Sequence, residues 1–185
     1  MFVHALRGKP NGVSAVSDAM RSSGIDVTDG HSPERERPLG GYGILLGSFF
    51  ASTGGFGAWL WRSGTELPEH VGVGDLALVT VASHKISRLL ARDRVTSAVR
   101  APFTRFQGDA GHGEVDEAAR GRGVRRAIGE LLICPYCLGM WTSAALTAGM
   151  IVQPRATRWI AATFTSLAGA DLLQIGYARA ESTRG

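Results

Sequence analysis

The sequence predicts an all-α fold: a polytopic membrane helix bundle with a basic cytoplasmic loop that carries a short β-hairpin. Two observations predict it. Apolar stretches without charge alternate with arginine-rich segments, and most of the apolar stretches are about as long as a bilayer is thick. The mean hydropathy of +0.04 averages over this alternation and conceals it. Four spans are predicted, with three as the alternative if the stretch at 39–61 or the one at 71–90 does not cross the membrane.

The first span is predicted at residues 39–61, which carry no charge. The preceding residues 1–38 are polar and contain too little apolar surface to order themselves, so a disordered cytoplasmic tail is expected there. Small residues recur every four positions in the span, a pattern that favours close approach of a neighbouring helix. They are Gly43, Gly47, Ala51 and Gly55.

The remaining spans are predicted within residues 71–177, at about 71–90, 131–152 and 159–177, and a short tail at 178–185 follows them. Between the second and third spans lies the arginine-rich loop 91–126. Positively charged loops stay in the cytoplasm, so this loop and both termini are predicted inside. Within the loop, TRFQGDAGHGEVDEAA predicts a small β-hairpin whose second strand is weak.

The net charge of +4 does not indicate a nucleic-acid partner, because the arginines cluster between two apolar stretches as they do in cytoplasmic loops of membrane proteins. The lipid bilayer is the expected partner. Anionic headgroups of the inner leaflet are a further expected partner, with an ordinary topology signal as the alternative. The arginines expected to meet the headgroups are Arg100, Arg105, Arg120 and Arg122.

The two cysteines of the chain, Cys134 and Cys137, stand at the start of the third predicted span. Pro135 suits the first helical position, which makes Cys134 the N-cap. The positive helix end, together with Arg125 and Arg126, is then expected to favour a thiolate at Cys134. The flanking sequence contains no βαβ pattern, so a glutaredoxin-like fold is not expected.

Three roles for the cysteine pair remain open: packing at the helix start, metal binding and thiol redox chemistry. For metal binding, four side chains are predicted near the cytoplasmic ends of their helices and form a plausible zinc set. They are Cys134, Cys137, His84 and Asp171. Another copy of the chain in a homo-oligomer is a second source of ligands, and an ion pair of Asp171 with an arginine such as Arg88 is the structural alternative.

Several segments resemble the bacterial family of short membrane proteins called domain of unknown function 1360. The resemblance covers about residues 71–177 and is carried by RAPF at 100–103, GELL at 129–132 and CPYCLGMW at 134–141. It implies a protein of the bacterial cytoplasmic membrane and implies no activity.

The function predicted is therefore a structural or interaction role in the membrane, with the cysteine pair organising a site on the cytoplasmic face, alone or with zinc. The alternative is a membrane thiol–disulfide oxidoreductase in which Cys134 attacks and Cys137 resolves. Whether the chain is an enzyme stays undecided at this level.

Overall fold

The computed structural model describes residues 37–183, so the tail predicted at 1–38 lies almost wholly outside the described part. The fold is mainly helical, as predicted, with one small antiparallel sheet. The elements are α1 (Leu39–Ser63), α2 (Val73–Arg92), a 3-10 turn (Arg94–Thr96), α3 (Ser97–Arg100), β1 (Thr104–Gly111), β2 (Glu114–Ala119), α4 (Gly123–Leu132), α5 (Pro135–Val152) and α6 (Pro154–Ser182). The last helix therefore continues past the predicted end of the fourth span at 177.

The prediction of four spans is not supported by the length and hydropathy of the described helices. Among the helices of the described residues, α1 alone is long and apolar enough to cross a membrane, and a second span is added if α4 and α5 count as one broken span bent by 82°. The helices α2 and α6 do not reach the hydropathy that a membrane-spanning helix of this length requires. Their composition explains this, because α2 carries Asp75, Lys85 and Arg88, and α6 carries Asp171 among many small and hydroxyl residues.

Helices α2 and α5 pack against each other in opposite directions. The Oγ atoms of Ser83 and Ser143 lie 2.7 Å apart. Further along α2, the Oγ of Ser87 lies 4.0 Å from where a Cβ on Gly139 would stand. Residue numbers thus rise along α2 as they fall along α5, which defines an antiparallel pair.

Helices α2 and α6 run in the same direction. Near their first turns, Nη2 of Arg158 lies 2.7 Å from Oδ2 of Asp75, and further along Nζ of Lys85 lies 2.6 Å from Oδ2 of Asp171. The three helices meet at a small buried cluster, to which each contributes one residue: Ala82, Leu146 and Ala161.

The predicted hairpin forms, with β1 and β2 antiparallel and Thr104 opposite Ala119. The second strand is a poor strand by sequence because it is acidic, but its three carboxylates, together with Asp109 of β1, meet arginines of α2 and of the segment after it. These ion pairs fix the hairpin at the C-terminal end of α2. They are Arg88–Glu114 at 2.7 Å, Arg92–Asp116 at 2.8 Å, Arg94–Asp109 at 2.8 Å and Arg100–Glu117 at 2.9 Å.

Helix α1 docks on α4 through its first turn. A Cβ on Gly41 would lie 2.7 Å from the Cβ of Ala127, and the hydroxyl of Tyr42 donates to the carboxylate of Glu130. Further along, the ring of Phe49 lies 5.2 Å from that of Trp141 on α5. Helix α1 therefore runs in the same direction as α5.

The predicted glycine stripe of α1 meets no neighbour in the described chain. Nothing lies within 4 Å of the Cβ positions of Gly43, Gly47 and Gly55, whereas Gly41, which is outside the stripe, makes the close contact. The predicted stripe therefore makes no close contact within the described residues, and the close approach to α1 occurs at Gly41 instead.

Candidate functional site

The cysteine pair lies where α5 begins, next to the end of α2 that carries the hairpin. As predicted, Pro135 occupies the first turn of α5 and Cys134 is the N-cap. The Sγ of Cys134 accepts a hydrogen bond from the backbone N–H of Cys137 at 3.2 Å. This contact satisfies one of the amide groups that a helix start leaves without a partner.

Cys134 and Cys137 form a disulfide, with their Cα atoms 5.2 Å apart. Tyr136, between them, is 93% exposed, and Cys137 is exposed as well. Tyr136 and Cys137 are therefore accessible from outside the bundle, while Cys134 is half-buried.

The two arginines expected to act on Cys134 have other partners. Arg125 donates to the carbonyl oxygen of Pro102 through Nε and Nη2, and Arg126 pairs with Glu130 at 3.0 Å, one helical turn along α4. The prediction that these guanidinium groups favour a Cys134 thiolate is not supported by these contacts.

A groove of about 350 Å³ runs between α2 and α5 and ends beside the cysteine pair. Its lining comes from these two helices alone. Pro135 and Tyr136, the residues between the cysteines, lie at one end, and the opposite end reaches Leu76 and Thr147. The groove thus extends along the helices from the disulfide.

Polar side chains make up much of the groove wall, and most of them are already paired. Ser83 pairs with Ser143, while the Thr80 and Ser87 hydroxyls donate to backbone carbonyls of their own helix. His84 is different, because its exposed imidazole makes no hydrogen bond to any residue between 37 and 183. A ring nitrogen able to donate or accept is therefore free at the groove.

The four predicted zinc ligands are not brought together. No group of three or more His, Cys, Asp or Glu side chains within residues 37–183 could hold a metal ion. The cysteine sulfurs bond to each other, and Asp171 pairs with Lys85 rather than with an arginine. The alternative partner suggested for Asp171, Arg88, pairs with Glu114 instead.

Lys85 is a residue that the sequence analysis did not assign. Its side chain is 10% exposed, while that of Asp171 is 41% exposed, so the pair is asymmetric in burial. One signal could have indicated it: Lys85 is the only lysine of the apolar stretches, and Asp171 is the only carboxylate of the last one.

Arg100 joins the hairpin to the end of α2, and both it and Glu117 are buried, at 1% and 5% exposure. Its guanidinium donates to both carboxylate oxygens of Glu117 and to the backbone carbonyls of Leu90 and Asp93. Burial alone would raise the pKa of the Glu117 carboxyl, but hydrogen bonds from Arg100, Thr104 and Ser97 outweigh this effect and hold the pKa below its usual value.

Arg100 is therefore not placed to meet lipid headgroups, as was expected, because its side chain is enclosed by protein. The Nε of Arg120 donates to Pro102 at 3.1 Å, and Arg105 and Arg122 are exposed. Beside the same junction, burial raises the pKa of Asp93, and the carboxylates of Glu114 and Asp171 add to that rise. The loop is thus a network of charges and not a free cationic patch.

Comparison with known proteins matches residues 78–177 to the family described as protein of unknown function (DUF1360). The chain is also similar to sporulation protein YjcA of Bacillus subtilis (strain 168), with 34% identity over 88 residues that cover 46% of this chain and 75% of that protein. No solved structure matches. The match includes the RAPF, GELL and CPYCLGMW segments and spans more than half of the chain, which therefore belongs to the DUF1360 family.

Proposed function

We propose that the chain is an integral protein of the bacterial cytoplasmic membrane with α1, α2, α5 and α6 as four spans. Both termini and the hairpin are placed on the inner side, and the short α1–α2 and α5–α6 connections on the outer side. The single observation that carries this proposal is the spacing of tryptophan and tyrosine side chains at two levels of the helices.

Exposed tryptophans stand at the outer end of the helices and tyrosines at the inner end. The tryptophans are Trp59, Trp61 and Trp159, and the tyrosines are the exposed Tyr136 and Tyr177 and the half-buried Tyr42. At 1.5 Å per residue, the rise is about 26 Å from Tyr42 to Trp59 and about 27 Å from Trp159 to Tyr177. These lengths are close to the hydrocarbon thickness of a bilayer, at whose edges Trp and Tyr are enriched.

Large apolar side chains between the two levels are exposed, including Phe50 on α1, Leu76 on α2 and Leu172 on α6. An apolar surface of this extent is unusual on a protein surrounded by water and is the ordinary surface of one surrounded by lipid. The helix directions support the same arrangement, because α1 and α5 run one way while α2 and α6 run the other, as four successive spans require.

Thiol labelling of intact cells tests this topology. In a Cys134→Ser plus Cys137→Ser background, Arg155→Cys near the α5–α6 turn should react with a membrane-impermeant maleimide. Gln107→Cys in the hairpin should react only after lysis. Both positions are exposed, so they form a matched pair. Release of the chain by an alkaline carbonate wash, or labelling of Gln107→Cys in intact cells, would contradict the proposal.

We further propose a structural or interaction role, in which the inner face around the cysteine pair receives a partner. Its support is the exposure of Tyr136 and Cys137 at a helix start, beside a hairpin whose carboxylates are paired with arginines. The exposed Arg105 and Arg122, with Arg120, would meet anionic headgroups at the same level, each contributing about 1 kcal/mol. Arg105→Gln plus Arg122→Gln should then reduce the rise in unfolding temperature that phosphatidylglycerol gives the detergent-purified chain, and leave the effect of a neutral lipid unchanged.

A second role, thiol–disulfide exchange, is favoured by a specific observation: Cys134 and Cys137 are close enough to be bonded to each other. In the reduced chain, Cys134 as thiolate would attack a partner disulfide, and Cys137 would then resolve the mixed disulfide. The partner gains two electrons and the chain keeps the new disulfide. A zinc site is not carried forward, because Asp171 and the sulfurs have other partners.

Trapping in cells separates these two roles. Cys137→Ser should accumulate a mixed disulfide through Cys134 if exchange occurs, and Cys134→Ser plus Cys137→Ser should accumulate none. If both variants behave alike and assembly is unchanged, the interaction role remains and the exchange role is rejected. The name of the B. subtilis relative connects that protein with sporulation, so spore formation is the phenotype that we propose to score in a deletion strain.

A further inference from the structure

We infer that α4 lies flat in the inner leaflet of the membrane, with one apolar face at the boundary between headgroups and acyl chains, and that its partner is anionic phospholipid. The inference rests on the proposed membrane location of the chain. It begins from the direction of α4, which is bent by 82° from α5. If α5 crosses the bilayer, a helix inclined this steeply to it runs close to the membrane plane.

The contact between α4 and α1 indicates the same direction independently. On α4 the contacting residues extend from Gly123 to Glu130, which is about 10 Å along the helix axis. On α1 they are Gly41 and Tyr42, which are neighbours in its first turn. Helix α4 therefore crosses the inner end of α1 at a steep angle. Since its C-terminal end leads into the first turn of α5, the whole of α4 lies at the inner level.

The face of α4 turned away from the hairpin is apolar. Gly129 marks the hairpin side, because a Cβ there would lie 3.0 Å from the Cβ of Ala119 on β2. Val124, Ile128 and Leu131 share another face, about 100–160° around the helix axis from this glycine. Val124 is 40% exposed, and the other two are half-buried. Because the hairpin is placed on the cytoplasmic side, this apolar face is directed toward the bilayer.

The charge around the start of α4 is complementary to anionic lipid. Residues 120–129 include four arginines and no carboxylate. Arg122, the N-cap residue, is exposed, and the exposed Arg125 donates to the backbone oxygen of Pro102, which carries no net charge. A helix with arginines beside an apolar face binds in the interface of a membrane that contains anionic headgroups.

This placement also fixes the depth of the cysteine pair. Helix α4 ends at Leu132, two residues before Cys134. A helix held in the interface therefore holds the start of α5 at the boundary between lipid and water. The proposed partner of the inner face would meet Tyr136 and Cys137 at that boundary.

Depth-dependent fluorescence quenching tests the inference. In the Cys134→Ser plus Cys137→Ser background, Val124→Cys carries the fluorophore NBD, and the full chain is placed in nanodiscs of phosphatidylglycerol and phosphatidylcholine. A nitroxide high on the acyl chain, near the headgroup, should quench this probe about twofold or more over one near the chain end, because interfacial helices insert only shallowly. Gln107→Cys in the hairpin is the exposed control, and aqueous iodide but neither nitroxide should quench it.

The dependence on charge is measured with the same probe. Nanodiscs of phosphatidylcholine alone should give weaker quenching of the Val124→Cys probe by the shallow nitroxide, because the arginines then meet no net negative charge. Equal quenching with and without phosphatidylglycerol would reject anionic lipid as the partner. Strongest quenching by the deep nitroxide would make α4 part of a broken span and would overturn its placement in the membrane plane.

A probe on α1 separates this inference from the proposed topology. Phe50 is exposed and lies midway between Tyr42 and Trp59, so Phe50→Cys should be quenched most by the deep nitroxide. If it is, while the Val124→Cys probe is quenched only from water, the topology stands and the placement of α4 is rejected. If neither probe is quenched from lipid, the membrane location is rejected and the inference with it.

Discussion

The Nζ of Lys85 lies 2.6 Å from the Oδ2 of Asp171, and this contact joins the C-terminal halves of α2 and α6. In the proposed topology it is an ion pair inside the bilayer, a place where ionisable groups persist only when they are paired or functional. The pair also sets the register of the two parallel helices together with Arg158 and Asp75 near their outer ends.

Removing either partner of this pair should have unequal effects. Asp171→Asn leaves the enclosed Lys85 without a counter-charge and should lower the free energy of unfolding by about 3 kcal/mol or more. Lys85→Met should cost less, because the Asp171 side chain is 41% exposed and so less enclosed by the helices than the Lys85 ammonium, which is 10% exposed. Thermal unfolding in detergent measures both, and Asp109→Asn at the exposed Arg94–Asp109 pair is the control, with an effect of about 1 kcal/mol or less.

The double variant Lys85→Met plus Asp171→Asn should be closer to the native chain than Asp171→Asn alone, because no unpaired charge remains. If the two single variants lose the same free energy of unfolding, the loss does not come from an unpaired charge on the enclosed Lys85.

Arg100→Lys should loosen the hairpin even though the charge is kept. Lysine cannot reproduce the planar fork that donates to both oxygens of Glu117 and to two backbone carbonyls. We expect a loss of about 2 kcal/mol, since buried acceptors are left without donors. Limited proteolysis at the hairpin should become at least several-fold faster.

Arg105→Lys is the matched control for this variant, because Arg105 is an exposed arginine on β1. Its rate of proteolysis should stay within twofold of the native rate. A resistant hairpin in Arg100→Lys would mean that charge alone, without the fork geometry, fixes the hairpin.

Much of this arrangement could be predicted from the sequence, and the part that could not depends on pairing across long separations. The helix start at Cys134 and Pro135 follows from local capping rules and was predicted correctly. The hairpin was predicted from its glycine-rich centre. By contrast, the partner of Asp171 is separated from it by 86 residues, and no local rule identifies Lys85 among the available cations.

Arg100 is a second residue whose partner the sequence alone does not identify. In the sequence it is one of many arginines of a basic loop, and the positive-inside rule treats them alike. Its burial depends on the hairpin folding back so that Glu117 reaches it. Three of the four carboxylates that pair with these arginines, Glu114, Asp116 and Glu117, lie in the strand predicted to be weak, so the same acidic residues explain both the weak strand signal and the burial of Arg100.

The Arg100–Glu117 junction should weaken in acid. The pKa of Glu117 is lowered in the folded chain, against the effect of burial, so the unfolded chain binds a proton more readily. The stabilisation is therefore fully present above the ordinary glutamate pKa of about 4.3 and is lost as the pH falls below it, through the lowered value. The raised pKa of Asp93 acts in the opposite sense and offsets part of the loss.

Hydrogen exchange of the hairpin amides between pH 3 and pH 7, corrected for the intrinsic pH dependence of exchange, measures this effect. Glu117→Gln should start from lower protection at pH 7 and show a smaller decrease toward pH 3, because its side chain does not titrate. An acid-induced decrease as large as that of the native chain would assign the effect to other carboxylates.

Two glycines near the start of α1 should respond oppositely to the same substitution. A Cβ at Gly41 would lie 2.7 Å from the Cβ of Ala127 and 3.0 Å from the backbone oxygen of Gly123, and the backbone cannot move aside without separating α1 from α4. At Gly43 nothing lies within 4 Å of the added atom. Gly41→Ala should therefore lower the unfolding temperature, whereas Gly43→Ala should leave it unchanged or raise it, since alanine is favoured over glycine in a helix by up to about 1 kcal/mol.

The loss in Gly41→Ala should come with separation of the two helices. A cysteine pair placed across α1 and α4 in the background without Cys134 and Cys137 should crosslink in the Gly43→Ala chain and several-fold less in the Gly41→Ala chain. Equal crosslinking and equal unfolding temperatures would mean that α1 is not seated on α4 through Gly41, and that its contact with Trp141 through Phe49 is sufficient to hold it.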